Sequence, residues 1–436
     1  MTTTVLVPAA SAAPLAQQSA GCHLATCRIG LLGLGNVGSA FAHLAHHSAP
    51  HLSSRGFTPV IASALVRSTS GPRSAAGCVK TITDSVERFF SEPVDVVVEA
   101  LGGIEPAHAL VRRALDAGIP VVTANKSLIA ARGDGLSKLA RYRATALRYE
   151  ASCIAGVPFL GTFERRPLAS LASSVTAILN GTSNAILSAM TSGASFAAAL
   201  ADAQRLGFAE PDPAMDVSGA DAAEKLAILL RLFARLSVSP STIPVESISA
   251  VETQDIAAAV AFDGAIRPVA HAAWNGTQVR ACVGPTFLAG AHPLARVGGV
   301  TNGIAISGER GVQCYTGPGA GPDVTAATLL DDVAEVMTER RLRTPSPEPV
   351  KPATAIVRPE TAWFLRLTGT ARDSDVADLL GSYGVWCRRL SRRGDRTYVL
   401  TCPASHSRLT SAQYAMEAAT HGSAVAFPAL VEDAAC

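Results

Sequence analysis

At 436 residues the chain is roughly two to three times the size of one average domain, so two or three packed units are expected. With 48% hydrophobic residues, 17% charged residues and a net charge of +2, it reads as a soluble globular protein with no basic field for nucleic acid and no apolar run long enough to span a membrane. Its nine cysteines are scattered, odd in number and without a CxxC pair, which disfavours zinc and fits free thiols in a reducing, cytoplasmic setting.

Residues 1–27 hold no Lys or Arg and no continuous apolar stretch, so they read as a disordered Ala/Ser/Thr tail rather than a leader. From Arg28 an apolar strand runs into Gly33, Gly35, Asn36, Val37 and Gly38, a GxGxxG turn that opens a helix. Strand, turn and helix in this order let the backbone approach a pyrophosphate and rest it on the helix N-terminus. The next strand, over 59–66, should end beside the adenosine ribose, where Arg67 and Ser68 suit a 2′-phosphate and favour NADP over NAD. A solvated loop arginine is the alternative.

A helix over 84–90, a strand over 94–98 leading into EALGG, a helix over 106–116 and a strand over 119–122 continue the alternation of a Rossmann-type, doubly wound parallel sheet. The last strand ends in Thr123-Ala124-Asn125-Lys126, at the edge where such sheets bind ligands. Lys126 is placed there for chemistry, for phosphate contact, or as a surface charge. A strand over 147–150 then enters EASCIAGVPFLG, where the Glu150 carboxylate and turning carbonyls can cage a cation, or Glu150 can be buried with water partners. In SSVTAILNGTSNAILSAM a strand breaks into a helix at 180–184, and the donors there suit a carboxylate or cap the helix through Ser183 or Thr182.

Residues 203–225, AQRLGFAEPDPAMDVSGADAAEK, are the most informative segment. Glu210, Asp212, Asp216, Asp221 and Lys225 crowd around two prolines before an apolar helix. Lys225 stands four residues after Asp221, on the same helical face, and a lysine held near carboxylates can move a proton. A capped helix with Asp216 or Ser218 as N-cap and an ordinary Asp221–Lys225 surface pair is the plainer alternative.

This segment resembles the signature of homoserine dehydrogenases at Ala203, Gly207, Phe208, Ala209, Asp212, Pro213, Asp216, Val217, Gly219, Asp221 and Lys225. The resemblance extends over about 28–340. It implies NAD(P)-dependent interconversion of L-aspartate 4-semialdehyde and L-homoserine, in threonine, methionine and isoleucine biosynthesis, with Lys225 as proton donor and Lys126 assisting between nicotinamide and substrate. It implies substrate contacts from Glu210, Asp216, Asp221 and Thr182, and cofactor contacts from the glycine turn, Arg67, Thr123, Lys126 and Gly321. It further implies a bound monovalent cation, sodium or potassium, on the Glu150 side chain and the carbonyls of Cys153, Ala155 and Val157. The implied units are a dinucleotide-binding domain over 28–150, completed by 305–340, and an α+β substrate and dimerisation domain over 151–304. A homodimer or homotetramer is expected.

Residues 343–360 carry five prolines and read as an extended spacer. Beyond it, 361–436 reads βαββαβ and resembles an ACT domain, a ferredoxin-like module that binds amino-acid effectors. Here Gly369-Thr370-Ala371-Arg372-Asp373-Ser374 replaces the Asp-x-Pro-Gly-like turn of ACT ligand loops, which leaves effector binding and oligomerisation as two open roles.

Overall fold

The structure is a computed structural model that describes residues 25–157, 159, 161, 163, 171–319, 321–339, 350–369 and 372–431. The expected tail lies outside these residues up to position 24, as do positions 343–349 of the spacer and 370–371 of the altered turn.

Six parallel strands build the first sheet: β1 (Ala25–Leu32), β2 (Phe57–Leu65), β3 (Val79–Thr83), β4 (Val96–Glu99), β5 (Val121–Thr123) and β6 (Leu147–Arg148). Their order is β3-β2-β1-β4-β5-β6, the doubly wound dinucleotide-binding arrangement. The order reverses between β1 and β4, so a crevice opens at the carboxyl ends of those strands. Helices α1 (Asn36–Ser53), α2 (Val86–Ser91), α3 (Ala107–Asp116) and α4 (Lys126–Tyr142) connect them. A late helix, Pro322–Glu339, packs on α1, where Leu329, Leu330 and Val333 join Phe41, Ala42 and Ala45 in one core. Sheets covered on both faces need apolar strands, and β4 is buried throughout. The sequence reading missed β3, because VKTIT sits half-exposed on the sheet edge and lacks a continuous apolar run.

The second sheet is mixed and ten-stranded. It runs in space through Gly311–Pro318, Thr301–Gly308, Ala172–Ile178, Gly264–Asn275, Gln278–Ala289, Ala424–Leu430, Ala362–Thr368, Arg396–Thr401 and Cys387–Arg393, and its tenth strand, Ala355–Val357, pairs off this path with Gln278–Ala289. Residues 362–430 have the βαββαβ order read from the sequence, with sheet order fourth-first-third-second, yet their fourth strand pairs in parallel with Gln278–Ala289 at Phe287↔Ala429 and Leu288↔Leu430. The tail therefore continues the middle sheet.

Alternation along Ala362–Thr368 explains the attachment. Trp363, Leu365 and Leu367 face the two tail helices, whereas Phe364 faces the opposite way, into a core with Phe287, Tyr398, Phe427, Ile186 and Leu187. The Phe287 and Phe364 rings stack with centroids 5.1 Å apart. Beside them Arg366 Nη1 reaches Asp255 Oδ2 at 2.6 Å and Glu252 Oε1 at 2.9 Å, and Arg396 also pairs with Glu252. Among the described cysteines Cys78, Cys153, Cys282, Cys314 and Cys387 are free thiols, but Cys402 is disulfide-bonded, so the expectation of thiols throughout does not hold.

Candidate active site

Lys126 is the first residue of α4, and Asn125 caps that helix by accepting from the Leu128 N–H at 3.0 Å. The Asn125 amide donates to the Gly103 carbonyl at 2.6 Å and to Glu99 Oε1 at 3.3 Å. Thr123 is fully buried; its hydroxyl donates to Glu99 Oε2 at 2.5 Å and accepts from the Asn125 N–H at 2.9 Å. This edge is thus locked before any ligand arrives.

The facing wall comes from 180–225. Gly219 has φ +88 and separates a short helix, Ala214–Ser218, from Ala220–Phe233, and the longer helix has no side-chain cap. Neither Asp216 nor Ser218 serves as its N-cap. Asp221 and Lys225 project from one face of Ala220–Phe233, with Asp221 buried. Asp221 Oδ1 lies 2.8 Å from Lys126 Nζ and Oδ2 lies 2.9 Å from Lys225 Nζ. Lys225 Nζ also donates to the Leu179 carbonyl at 2.7 Å.

Asn180 ties the parts of the facing wall together. It is the cap of the Gly181–Thr191 helix, accepting from the Ser183 N–H at 2.8 Å, so the expected caps Ser183 and Thr182 are displaced by it. Its amide donates to Asp216 Oδ1 at 2.7 Å and Asp221 Oδ2 at 2.9 Å. The sequence reading passed over Asn180, although an Asn immediately before a Gly-Thr-Ser helix start is an N-cap signal.

Charge balance follows from these contacts. Burial alone would raise the Asp221 carboxyl, but Lys225 and then Lys126 outweigh it and hold the group well below the usual carboxylate range. Burial acts to lower Lys126, and Asp221, with smaller help from Glu224 and Asp216, reverses this, so its ammonium is held above the ordinary lysine value. Asp216 is raised by burial despite the Asn180 hydrogen bond and the nearby lysines.

Other expected residues lie around this cluster. The Thr182 hydroxyl donates to the Phe208 carbonyl at 2.5 Å and ties the helix to the 203–213 loop. Glu210 is exposed on that loop, and among the described residues its carboxylate has no partner. At the glycine turn, a Cβ on Gly38 would lie 2.1 Å from the Gly33 carbonyl oxygen, whereas one on Gly35 would meet nothing within 4 Å. Gly38 is needed for close strand–helix packing, and Gly35, beside Asn36 and Val37, opens on space with no side chain capping α1. Arg67 is exposed just past β2, followed by a loop whose Ser68 carbonyl accepts from Arg73 at 2.5 Å. Gly321 is exposed at the start of Pro322–Glu339. Glu150 begins a 3-10 turn and accepts from the Gly161 N–H at 3.1 Å; Cys153, Ala155 and Val157 follow, all buried.

Sequence models of the homoserine dehydrogenase NAD binding domain and of homoserine dehydrogenase match residues 33–150 and 158–334. A homoserine dehydrogenase of Synechocystis is 36% identical, with the alignment covering 72% of this chain and 73% of that protein. The chain belongs to the homoserine dehydrogenase family. The homoserine dehydrogenase of Pseudomonas aeruginosa is 31% identical over 82% of this chain and 86% of its own. Among solved structures, that of a homoserine dehydrogenase from Thiobacillus denitrificans is similar with a TM-score of 0.85 and 30% identity, covering 93% of this chain and 99% of that one. The activity is that of the family, an NAD(P)-dependent oxidoreductase acting on a CH–OH group, here interconverting L-aspartate 4-semialdehyde and L-homoserine.

Proposed function

We propose that Lys225 is the proton donor of this homoserine dehydrogenase and that Lys126 assists it. The observation that carries this reading is the Lys225 ammonium, which has three N–H bonds: Asp221 and the Leu179 carbonyl take two, leaving one to aim at a developing alkoxide. Lys126, kept protonated by Asp221, supplies positive charge beside the reacting oxygen. Asp221 positions both lysines, and Asp216 is held on the same wall by Asn180. Glu210 stands exposed for the substrate ammonium, with Thr182 bracing its loop.

When bound, the nicotinamide cofactor supplies or accepts the hydride. The open Gly35 with the uncapped α1 N-terminus suits its pyrophosphate, with Gly33, Asn36, Val37 and Gly38 forming the turn and Gly321 exposed at the start of Pro322–Glu339, whereas Thr123, with 0% exposure, braces the floor through Glu99 and Asn125 instead of touching the cofactor. Arg67 favours NADP, and a hyperthermophilic archaeal homoserine dehydrogenase similar to this chain, with a TM-score of 0.61 and 26% identity, was solved in complex with NADPH. A monovalent cation fits Glu150 with the carbonyls of Cys153, Ala155 and Val157. Nearby Asp332 is pushed well above the usual carboxylate range by burial, then by Glu150 and Glu335, and a cation would relieve that repulsion.

The exposed edge strand Gly311–Pro318 offers the second sheet for pairing of subunits in a homodimer or homotetramer. The tail sheet serves as an ACT-like module for an amino-acid effector or for assembly, and the enzyme works in the cytoplasm on the route to threonine, methionine and isoleucine.

The test is oxidation of NADPH by the purified protein with aspartate semialdehyde, repeated with NADH, with added threonine, and with sodium or potassium replaced by tetramethylammonium. Turnover that survives Lys225→Met within about tenfold of wild type would remove Lys225 as proton donor, since general acids contribute about 100-fold or more.

A further inference from the structure

We propose that Glu99 is a positioning residue for Lys126, acting through Asn125, an inference that rests on the catalytic reading of Lys126. Glu99 ends β4 and has 0% exposure, so it cannot touch cofactor or substrate. A carboxylate at that depth is costly unless donors surround it. They do: the Leu101 N–H at 2.9 Å and the Asn125 amide at 3.3 Å reach Oε1, and the Thr123 hydroxyl at 2.5 Å reaches Oε2. An ionised carboxylate accepts at both oxygens and donates nowhere, so it is the one side chain of this size that can gather several donors at once.

The donors come from both loops that floor the crevice. One is 100–103, whose Ala100 carbonyl lies so near Gly33 that a Cβ there would stand 2.8 Å away. The other is 123–126, which ends in Lys126. Asn125 joins the two, donating to Glu99 and Gly103 and capping α4 at its first turn. The rotation of that first turn, and with it the origin of the Lys126 side chain, is set by Glu99 at β4 and by the Asp221 carboxylate at the far end of the lysine. Burial pushes the Glu99 carboxyl up, and the hydrogen bonds of Thr123, Leu101 and Asn125 act against that shift. No ligand group is needed to explain these contacts, and none of them is required for the parallel pairing of β4 with β1 and β5.

The test is a double-mutant cycle on the full-length enzyme. Glu99→Gln keeps the shape but replaces one acceptor by a donor, and Asn125→Ser keeps a good helix cap while removing the amide link. In the wild-type background each should lower kcat about 10- to 100-fold with little change in melting temperature, since displacement of a reacting group by about 1 Å is worth that much. In a Lys126→Ala background the same substitutions should change kcat by less than about threefold, because residues acting through one another are not additive. Equal fold losses in both backgrounds, or a kcat unchanged by both substitutions, would overturn the proposal. A Lys126→Ala enzyme with wild-type kcat would instead overturn the catalytic reading of Lys126 on which it rests. If Glu99→Gln fails to fold, Asn125→Ser alone completes the cycle.

Discussion

Lys126 Nζ and Asp221 Oδ1 stand 2.8 Å apart, although one begins a helix of the dinucleotide-binding layer and the other lies in the first turn of Ala220–Phe233. This ion pair, with Ser127 Oγ donating to Glu224 at 3.0 Å beside it and Arg231 pairing with Asp134 further along the same two helices, holds the two walls of the site together. Asp221→Asn would leave two ammonium groups facing a neutral amide that can accept at one atom instead of two. Its kcat should fall at least about 100-fold, as expected when a group orienting a general acid is lost. Steady-state kinetics at saturating semialdehyde and NADPH checks this, and a circular dichroism spectrum identical to wild type excludes misfolding as the cause.

Lys225→Met should lower kcat by about 100-fold or more while the dissociation constant of NADPH changes less than about threefold. Lys225 contacts Asp221 and Leu179, not the glycine turn, so cofactor affinity measured by fluorescence quenching is the control.

Arg67→Ala should raise the KM for NADPH about tenfold and leave that for NADH nearly unchanged, since a charge-assisted bond to a phosphate is worth about 1.5 kcal/mol or more. Equal effects on both cofactors would place Arg67 away from the 2′-phosphate.

Arg366→Met should cost about 3–5 kcal/mol, because it strands the fully buried Asp255 carboxylate. A lowered midpoint in urea denaturation reads this out. Replacing both partners, as Arg366→Met with Asp255→Leu, should recover much of the loss.

His271, whose Nδ1 lies 3.0 Å from the Thr176 hydroxyl, has its imidazole pushed down to about 4 by burial and then by His292. In the unfolded chain the ring titrates near 6.5. The folded state therefore favours the neutral ring, and the stability this confers is complete above about pH 6.5 and lost as pH falls towards 4. The melting temperature of His271→Gln should accordingly drop less than that of wild type between pH 7 and pH 4.5.

Much of this protein could be read along the chain. Local rules govern the glycine turn, the alternation of apolar strands and amphipathic helices, and the Asp221–Lys225 face of one helix, and all three depend on residues within a few positions of one another. That is why the Rossmann-type layer, the βαββαβ tail order and the family were legible. The edge strand β3 was not, because its half-exposed residues lack a pattern.

What tertiary structure alone decided were the pairings between distant segments. The sequence put Lys126 at the ligand edge of the parallel sheet and Asp221 beside Lys225 on a helix, and the family resemblance assigned both to one site, but only the packing of α4 against Ala220–Phe233 brings them to hydrogen-bonding distance. Asn180 displaced Thr182 and Ser183 as helix cap because its side chain bonds to Asp216 and Asp221 as well as to the helix. Glu99 carried no signal beyond a carboxylate after three valines, since its donors come from two loops. The tail, which the prolines suggested was separable, is joined to the middle sheet because Ala362–Thr368 carries large apolar side chains on both faces, and the second face, with Phe364 and the ion-paired Arg366, must be covered as well. Hydrophobic periodicity is local and can be counted along a chain, whereas partner choice for a buried charge depends on which surfaces the fold brings within about 3 Å.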